Sequence, residues 1–116
     1  MTKYTEEHEW IRLEESGFAA VGITEHAQEQ LGELVYVELP EVGSQFAKGE
    51  CTGVVESTKT ASDINAPLDC EIVEINSPLE DEPELVNRDA EGQGWLYKIK
   101  IQNSSQFEEL LDEDPV

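Results

Sequence analysis

The sequence predicts a small, mainly antiparallel β protein. Short segments rich in β-branched and aromatic residues alternate apolar with polar side chains, and turns containing glycine or proline separate them at short intervals. Helical patterns are confined to brief stretches between these segments. With 116 residues and 38% hydrophobic content, we expect one domain over residues 1–116 with a single modest core.

The first half of the chain is predicted to form a hairpin, a helix and further strands. Residues 9–13 and 18–23 flank a turn at Glu15-Ser16-Gly17, which is typical of a β-hairpin. Thr24 is a suitable N-cap for a short helix through Leu31, and Gly32 suits the position just after its end. The elements expected next are a strand at 34–39 closed by Pro40, a turn at 40–43, and a short strand with a second turn at 46–50.

The second half centres on two extended runs joined by Thr58-Lys59-Thr60. Residues 52–57 and 61–66 contain β-branched side chains that favour strands, which would place Lys59 at the tip of a hairpin. The remaining expected elements are a strand at 71–75, a short helix around 83–86, a strand at 95–101, and a terminal helix through Leu111 that begins at a capping box from Ser105 to Glu108.

The charge of the chain is extreme, with 27 acidic against 7 basic residues and a net charge of −20. Such a protein lacks the basic surface that contacts phosphates, so we expect no nucleic acid and no membrane among its partners. It should dock instead on basic patches of other proteins. No signal or transit segment and no membrane-length apolar run is visible, so we expect a cytoplasmic protein. We also expect it to be a monomer. Cys51 and Cys70 match neither a disulfide framework nor a zinc pattern, and we interpret both as reduced.

Lys59 stands out because it is the only basic residue between Gly49 and Asn87, a stretch with ten carboxylates. A group carrier needs one modifiable amine, a rigid turn that presents it, and features that partner enzymes recognise. A hairpin tip supplies the first two. The ordinary alternative is a lysine in a solvated turn with no special role.

Several sequence blocks occur in one order along nearly the whole chain. They are His8-Glu9-Trp10, Val21-Gly22-Ile23-Thr24-Glu25-His26-Ala27-Gln28, Leu31-Gly32, Val37-Glu38-Leu39-Pro40-Glu41-Val42-Gly43, Val55-Glu56-Ser57-Thr58-Lys59, Ser62-Asp63, Ile72-Val73-Glu74-Ile75-Asn76, Glu84-Leu85-Val86-Asn87 and Gly94-Trp95-Leu96. In these blocks the chain resembles the H-protein of the glycine cleavage system.

The resemblance implies a barrel-sandwich hybrid of the biotinyl/lipoyl-carrier type, with short peripheral helices and a C-terminal helix. It implies lipoate joined to Lys59 by an amide bond, placed there by lipoylating enzymes. The carrier would take an aminomethyl group from the glycine decarboxylase (P-protein) to the aminomethyltransferase (T-protein). Dihydrolipoyl dehydrogenase (L-protein) would then reoxidise the lipoyl group. Such a shuttle has no catalytic site of its own.

The resemblance also assigns roles to individual residues. Glu56 corresponds to a carboxylate recognised by lipoylating enzymes, and Glu9, Asp63 and Gln30 correspond to positions near the cleft where the loaded arm rests. A carboxylate there can hold an ammonium group through a charge-assisted hydrogen bond. Glu9 as an exposed strand residue, and Asp63 as a turn stabiliser, are the alternatives.

The chain departs from the family pattern at three places. Cys70 stands where the family usually has glycine, and its β-carbon could perturb strand approach or enzyme recognition near the lysine hairpin. Gln30 stands where some members have histidine, and Thr58-Lys59-Thr60 replaces the more frequent Val-Lys-Ala.

Other functions remain open at this point. An enzyme with a metal or base at His8 and His26 is disfavoured because no enclosed set of three ligands is evident. A biotin carrier would have methionines around the lysine, and the only methionine is Met1. An H-protein-like lipoyl donor or relay without glycine cleavage, and an unmodified acidic interaction module, are the two main alternatives. Neighbouring genes would separate the first from a shuttle, and failure of lipoylation would favour the second.

Overall fold

The computed structural model describes residues 1–15 and 17–115, which form nine strands and three short α-helices. The strands are β1 (Thr2–Tyr4), β2 (Glu9–Glu15), β3 (Phe18–Ile23), β4 (Leu34–Glu38), β5 (Gln45–Phe46), β6 (Cys51–Ser57), β7 (Ala61–Asn65), β8 (Cys70–Ile75) and β9 (Tyr97–Ile101). The helices are α1 (Glu25–Leu31), α2 (Leu85–Arg88) and α3 (Ser104–Glu108), and a 3-10 helix covers Ser77–Glu80.

The strands form two sheets in which every pairing is antiparallel. The larger sheet has the order β1-β2-β3-β9-β8-β5, and the smaller has the order β4-β6-β7. Bulges interrupt the register in each sheet, as between Ile72 and Glu74 in β8 and between Leu34 and Tyr36 in β4. Such bulges increase strand twist, which helps small sheets to curve around a shared core.

The core lies between the two sheets and contains the apolar side chains that alternate inward. Val21, Ile72 and Ile99 are fully buried in the larger sheet, and Val55 is fully buried in the smaller one. Complete burial of each such side chain is favourable by about 1.5–3 kcal/mol. A buried hydrogen bond of 3.1 Å joins the hydroxyl groups of Thr52 and Tyr97 across the sheets.

Trp10, the second residue of β2, packs in the core and holds the start of this strand in place. Its indole is completely buried and donates a 3.0 Å hydrogen bond to the carbonyl of Ala90. Gly22 is its cross-strand partner, and a β-carbon there would lie 2.6 Å from the indole ring. Glycine at position 22 therefore makes room for Trp10 and fixes the start of β2.

Most of the predicted elements are present. The first hairpin, the two strands around Lys59 and the helix capped by Thr24 are confirmed, and the Thr24 hydroxyl accepts a hydrogen bond from the Ala27 amide. Ser16 of the predicted first turn lies outside the described residues.

Several details were predicted wrongly or missed. Asn103, and not Ser105, caps the last helix, which ends at Glu108 and not at Leu111 because Leu111 pairs with Tyr4 instead. The last strand begins at Tyr97, and the helix expected around 83–86 covers Leu85–Arg88. Strand β1 and the 3-10 helix had no clear sequence pattern.

Candidate functional site

The turn between β6 and β7 is held by one hydroxyl group. The Ser57 hydroxyl oxygen accepts hydrogen bonds from the amides of Lys59 and Thr60, both at 3.1 Å. The Ser57 amide donates to the Thr60 carbonyl at 2.7 Å, and the Thr58 amide donates to the Glu33 carbonyl at 3.1 Å. The turn is therefore closed on itself and also attached to the loop between α1 and β4.

Lys59 lies at the tip of this turn with an exposed side chain. Within residues 1–15 and 17–115, its amine makes neither a salt bridge nor a side-chain hydrogen bond, whereas Lys3 pairs with Asp112 and Lys98 with Glu14. An amine in this position is accessible to a modifying enzyme, and the paired strands keep its attachment point fixed.

Glu56 lies on the outer face of the smaller sheet, next to the turn. It is exposed, and its cross-strand neighbours are Tyr36 on β4 and Ala61 on β7. Tyr36 has 47% of its surface exposed. The carboxylate and the aromatic ring thus face solvent side by side, within reach of a protein that approaches Lys59.

A cleft of about 330 Å³ lies between α1, the start of β2 and the edge strand β7. The three residues expected at an arm cleft, Glu9, Gln30 and Asp63, all line it. The other lining residues are Glu7, His8, Ile23, His26, Ala27, Leu31, Ser62 and Ile64. The structure therefore brings together three residues that are far apart in sequence.

Glu9 is only 2% exposed, so its interpretation as an exposed strand residue is wrong. One carboxylate oxygen accepts a hydrogen bond from the Thr5 hydroxyl at 3.2 Å, and the other accepts one from the Asn65 amide at 3.0 Å. The pKa of the Glu9 carboxyl is raised to about 7, chiefly by burial; the Glu7 carboxylate contributes to the rise, and the two hydrogen bonds oppose it. Glu9 has no cationic partner among the described residues.

His8 and His26 form part of the same cleft, which the sequence did not indicate. Their ring centroids are 4.7 Å apart, and His8 Nδ1 lies 2.7 Å from a carboxylate oxygen of Asp114. His8 has a positive φ of 65°, an uncommon backbone conformation for a residue other than glycine. No group of three or more possible metal ligands occurs in the described part of the chain, 1–15 and 17–115.

Cys70 lies in a different part of the molecule from the lysine turn. It begins β8 in the larger sheet, pairs with Phe46 and Ile101, and is completely buried. The pKa of its thiol is raised to about 12, chiefly by burial and in part by the carboxylate of Asp69. Its side chain packs in the core, so it has no exposed surface that an enzyme acting on Lys59 could contact.

Two antiparallel sheets that present an exposed lysine at a hairpin tip, beside a polar cleft, are typical of a carrier domain of the lipoyl type. The family model described as "Glycine cleavage H-protein" matches residues 2–116. The chain belongs to the glycine cleavage H-protein family.

Individual relatives agree with this assignment. The glycine cleavage system H protein of Thermotoga maritima is 55% identical over 113 residues, which cover 97% of this chain and 90% of the relative. The one from a Psychrobacter species is 56% identical over 109 residues, covering 94% and 86% respectively. The crystal structure of a glycine cleavage system H protein from Mycobacterium marinum matches with a TM-score of 0.80 at 41% identity, covering 93% of this chain and 94% of that one.

These relationships establish the function at the level of the family. The protein is the lipoyl carrier of a glycine cleavage system. Members of this family carry lipoate covalently attached to a lysine and shuttle between the P, T and L proteins. The predicted lipoyl-carrier type of fold is confirmed. In residues 1–15 and 17–115, no helix has the length and apolar character needed to span a membrane.

Proposed function

We propose that Lys59 is the lysine that carries the lipoyl group. The observation that carries this proposal is the exposed Lys59 amine, which has no ion-pair partner among the described residues, on a turn braced by Ser57 and by the contact of Thr58 with Glu33. An amide bond at the Lys59 amine removes one positive charge, and no ion pair in the described residues has to break for it to form. When attached, lipoate supplies a disulfide that opens to accept a group from a donor enzyme.

Glu56 serves as a recognition group for the enzyme that modifies Lys59. Its carboxylate is exposed, and it lies on the outer sheet face between Tyr36 and Ala61. The strand pairing holds it at a constant offset from the lysine tip. A basic group on the modifying enzyme can therefore use Glu56 to fix which lysine enters its active site.

The cleft beside α1 receives the loaded end of the arm. Glu9 is a buried carboxylate without a cation, and an ammonium group brought into the cleft would satisfy it. Asp63 adds a second carboxylate at the rim, and the Gln30 amide can donate or accept a hydrogen bond. In this arrangement Glu9 holds the amine, and the cleft walls limit the access of water to the labile bond.

The remaining properties follow from the family and from the surface. We propose a cytoplasmic monomer without catalytic groups of its own, with residues 1–116 as one domain. Its partners would be the P-protein, T-protein, L-protein and lipoylating enzymes, with no nucleic acid and no membrane. The single-domain proposal is supported by one contiguous core and by a radius of gyration of 12.8 Å, close to the value of about 13 Å typical of a compact domain of this size.

Mass spectrometry of protein made in a lipoate-replete host tests the attachment site. We expect one lipoyl increment on the peptide that contains Lys59, and none in Lys59→Arg. Lys48→Arg is the matched control, because Lys48 is also an exposed lysine in a tight turn. A lipoyl group on Lys48, or an increment that survives in Lys59→Arg, would contradict the proposal.

A further inference from the structure

The side chain of Lys59 rests on a glycine of the neighbouring loop. A β-carbon placed on Gly32 would lie 2.8 Å from Cε of Lys59 and 3.5 Å from its Nζ. The first distance is shorter than carbon atoms tolerate, so any side chain at position 32 would displace the end of the lysine side chain. The bare surface of Gly32 thus forms a seat for the Cε end of Lys59.

Hydrogen bonds to both backbone polar groups of Gly32 hold the seat in place. The Gly32 amide donates to the Gln28 carbonyl at 2.9 Å, and the Gly32 carbonyl accepts a hydrogen bond of 2.8 Å from the Asn87 side-chain amide. The same Asn87 amide group donates to the Gln28 side chain, and its oxygen accepts from the Leu34 amide. Asn87 therefore clamps both sides of the loop on which Lys59 rests.

The seat lies at the end of α1, next to the cleft. Gly32 follows α1 directly, and the last residue of α1, Leu31, lines the cleft that contains Glu9 and Gln30. Because the Thr58 amide is bonded to the Glu33 carbonyl, the lysine turn and the seat keep a constant relative position. The end of the Lys59 side chain therefore lies over the residue that directly follows α1, next to a residue that lines the cleft.

We propose that Gly32 is a positioning residue for the lipoyl arm on Lys59. Its contact with the end of the Lys59 side chain directs the attached group into the cleft. This inference rests on the proposed attachment at Lys59 and on the proposed role of the cleft. It differs from an ordinary helix-ending role, for which a positive φ is sufficient. Gly43 and Gly49 have φ values of +94° and +89°, close to +86° at Gly32, yet nothing lies within 4 Å of a β-carbon at either.

These glycines provide the matched comparison of Gly32→Ala with Gly43→Ala. Both variants place alanine at a positive φ, and we expect both to lower the unfolding temperature. Only in Gly32→Ala does the added methyl group collide with the Lys59 side chain. In the unlipoylated protein, proton NMR should show a nuclear Overhauser contact between Lys59 Hε and Gly32 Hα, which Gly43→Ala retains and Gly32→Ala loses.

The lipoylated protein carrying its aminomethyl cargo gives the functional readout. Water attack on the aminomethyl sulfide yields the free thiol, formaldehyde and ammonia in equal amounts, so the release of both products reports exposure of the cargo. We expect release to be about fivefold faster in Gly32→Ala, equivalent to about 1 kcal/mol of lost docking, and unchanged in Gly43→Ala. Asn87→Asp, which loses the donor to the Gly32 carbonyl, should accelerate release in the same direction even if Gly32→Ala folds poorly.

The outcomes separate this inference from the proposal on which it rests. If the cargo of the wild-type protein is lost as fast as from free aminomethyl-lipoamide, the cleft proposal fails and the seat fails with it. If the wild type protects its cargo but Gly32→Ala and Asn87→Asp do so equally well, only the seat is overturned. Equal acceleration in Gly43→Ala, or no contact between Lys59 and Gly32 in the wild type, would also overturn it.

Discussion

The buried carboxyl of Glu9 affects the stability of the protein and is also the group proposed to bind the cargo in the cleft. Its carboxyl is buried without a cationic partner, and its pKa is raised from 4.5 to about 7 chiefly by loss of hydration. The folded protein therefore favours the neutral form of Glu9 more than the unfolded chain does. Above pH 7 the ionised Glu9 carries an unfavourable desolvation free energy in the folded protein, which a positively charged cargo held in the cleft, as proposed, would reduce.

The pH dependence of unfolding should reveal this penalty. Because the folded pKa is above the unfolded one, the contribution of Glu9 to stability is fully present below pH 4.5 and is lost as pH rises through about 7. We expect Glu9→Gln to be more stable than the wild type at pH 8 by about 1–3 kcal/mol, and equally stable near pH 4.5. Urea unfolding at both pH values measures the difference.

Glu41→Gln is the control for the loss of one charge, since Glu41 is exposed. It should show no comparable gain at pH 8. A Glu9→Gln protein that is less stable than the wild type at pH 8 would mean that hydrogen bonds from Thr5 and Asn65 make the carboxylate net favourable.

At the scale of elements, the lysine hairpin and the strand that contains Cys70 belong to different sheets. The hairpin β6–β7 lies in the three-stranded sheet, whereas Cys70 begins β8 of the six-stranded one. The expectation that Cys70 could perturb recognition of the lysine assumed that the two lie close together. Its complete burial favours a packing role instead.

Cys70→Gly should therefore weaken the fold without improving modification. Loss of a buried side chain and gain of backbone freedom should lower the unfolding free energy by about 1–3 kcal/mol, with Cys70→Ala intermediate. We expect the initial rate of lipoylation by a purified ligase to be unchanged in both variants. A faster rate in Cys70→Gly, under conditions where all proteins are folded, would contradict this account.

The elements that could be predicted are those specified by neighbouring residues. Alternation identified the hairpins, and Thr24 identified the start of α1, because a strand face and a helix cap depend on local sequence. The missed features depend on contacts between distant residues. The burial of Glu9 requires Asn65, the meeting of His8 with Asp114 requires the C-terminal segment, and the end of α3 reflects pairing of Leu111 with Tyr4.

The candidate site shows the same division. Lys59 could be identified because it is the only basic residue in a long acidic stretch and the matching sequence blocks surround it. The contact between Lys59 and Gly32 joins residues 27 positions apart through a loop whose course depends on Asn87. Gly32 carries only the local pattern of a residue that ends a helix, so its second role had no signal in the sequence.

For the whole molecule, the dominant property is the net charge of −20. Its field extends over a distance set by the salt concentration, with a screening length of about 30 Å at 0.01 M and about 8 Å at 0.15 M. Partner enzymes that dock by complementary basic surfaces should feel this field mainly through the rate of association.

Coupling to the glycine decarboxylase should therefore weaken as salt rises. We expect the apparent affinity of the lipoylated protein to fall several-fold between about 0.01 and 0.15 M salt, with the larger change in the association rate constant. Sucrose of matched osmolality is the control, since it alters solvation without screening charge. An affinity independent of salt would show that the acidic surface does not guide docking.

The proposal that the group carried on Lys59 enters the cleft beside α1 can be tested by amide NMR of the lipoylated protein with and without its aminomethyl cargo. We expect shifts at His26, Ala27, Asp63 and Gly32. Residues of a second cleft on the other side of Glu9, such as Lys48 and Glu109, should not change. Shifts confined to that second cleft, or none beyond the lysine turn, would contradict the proposal.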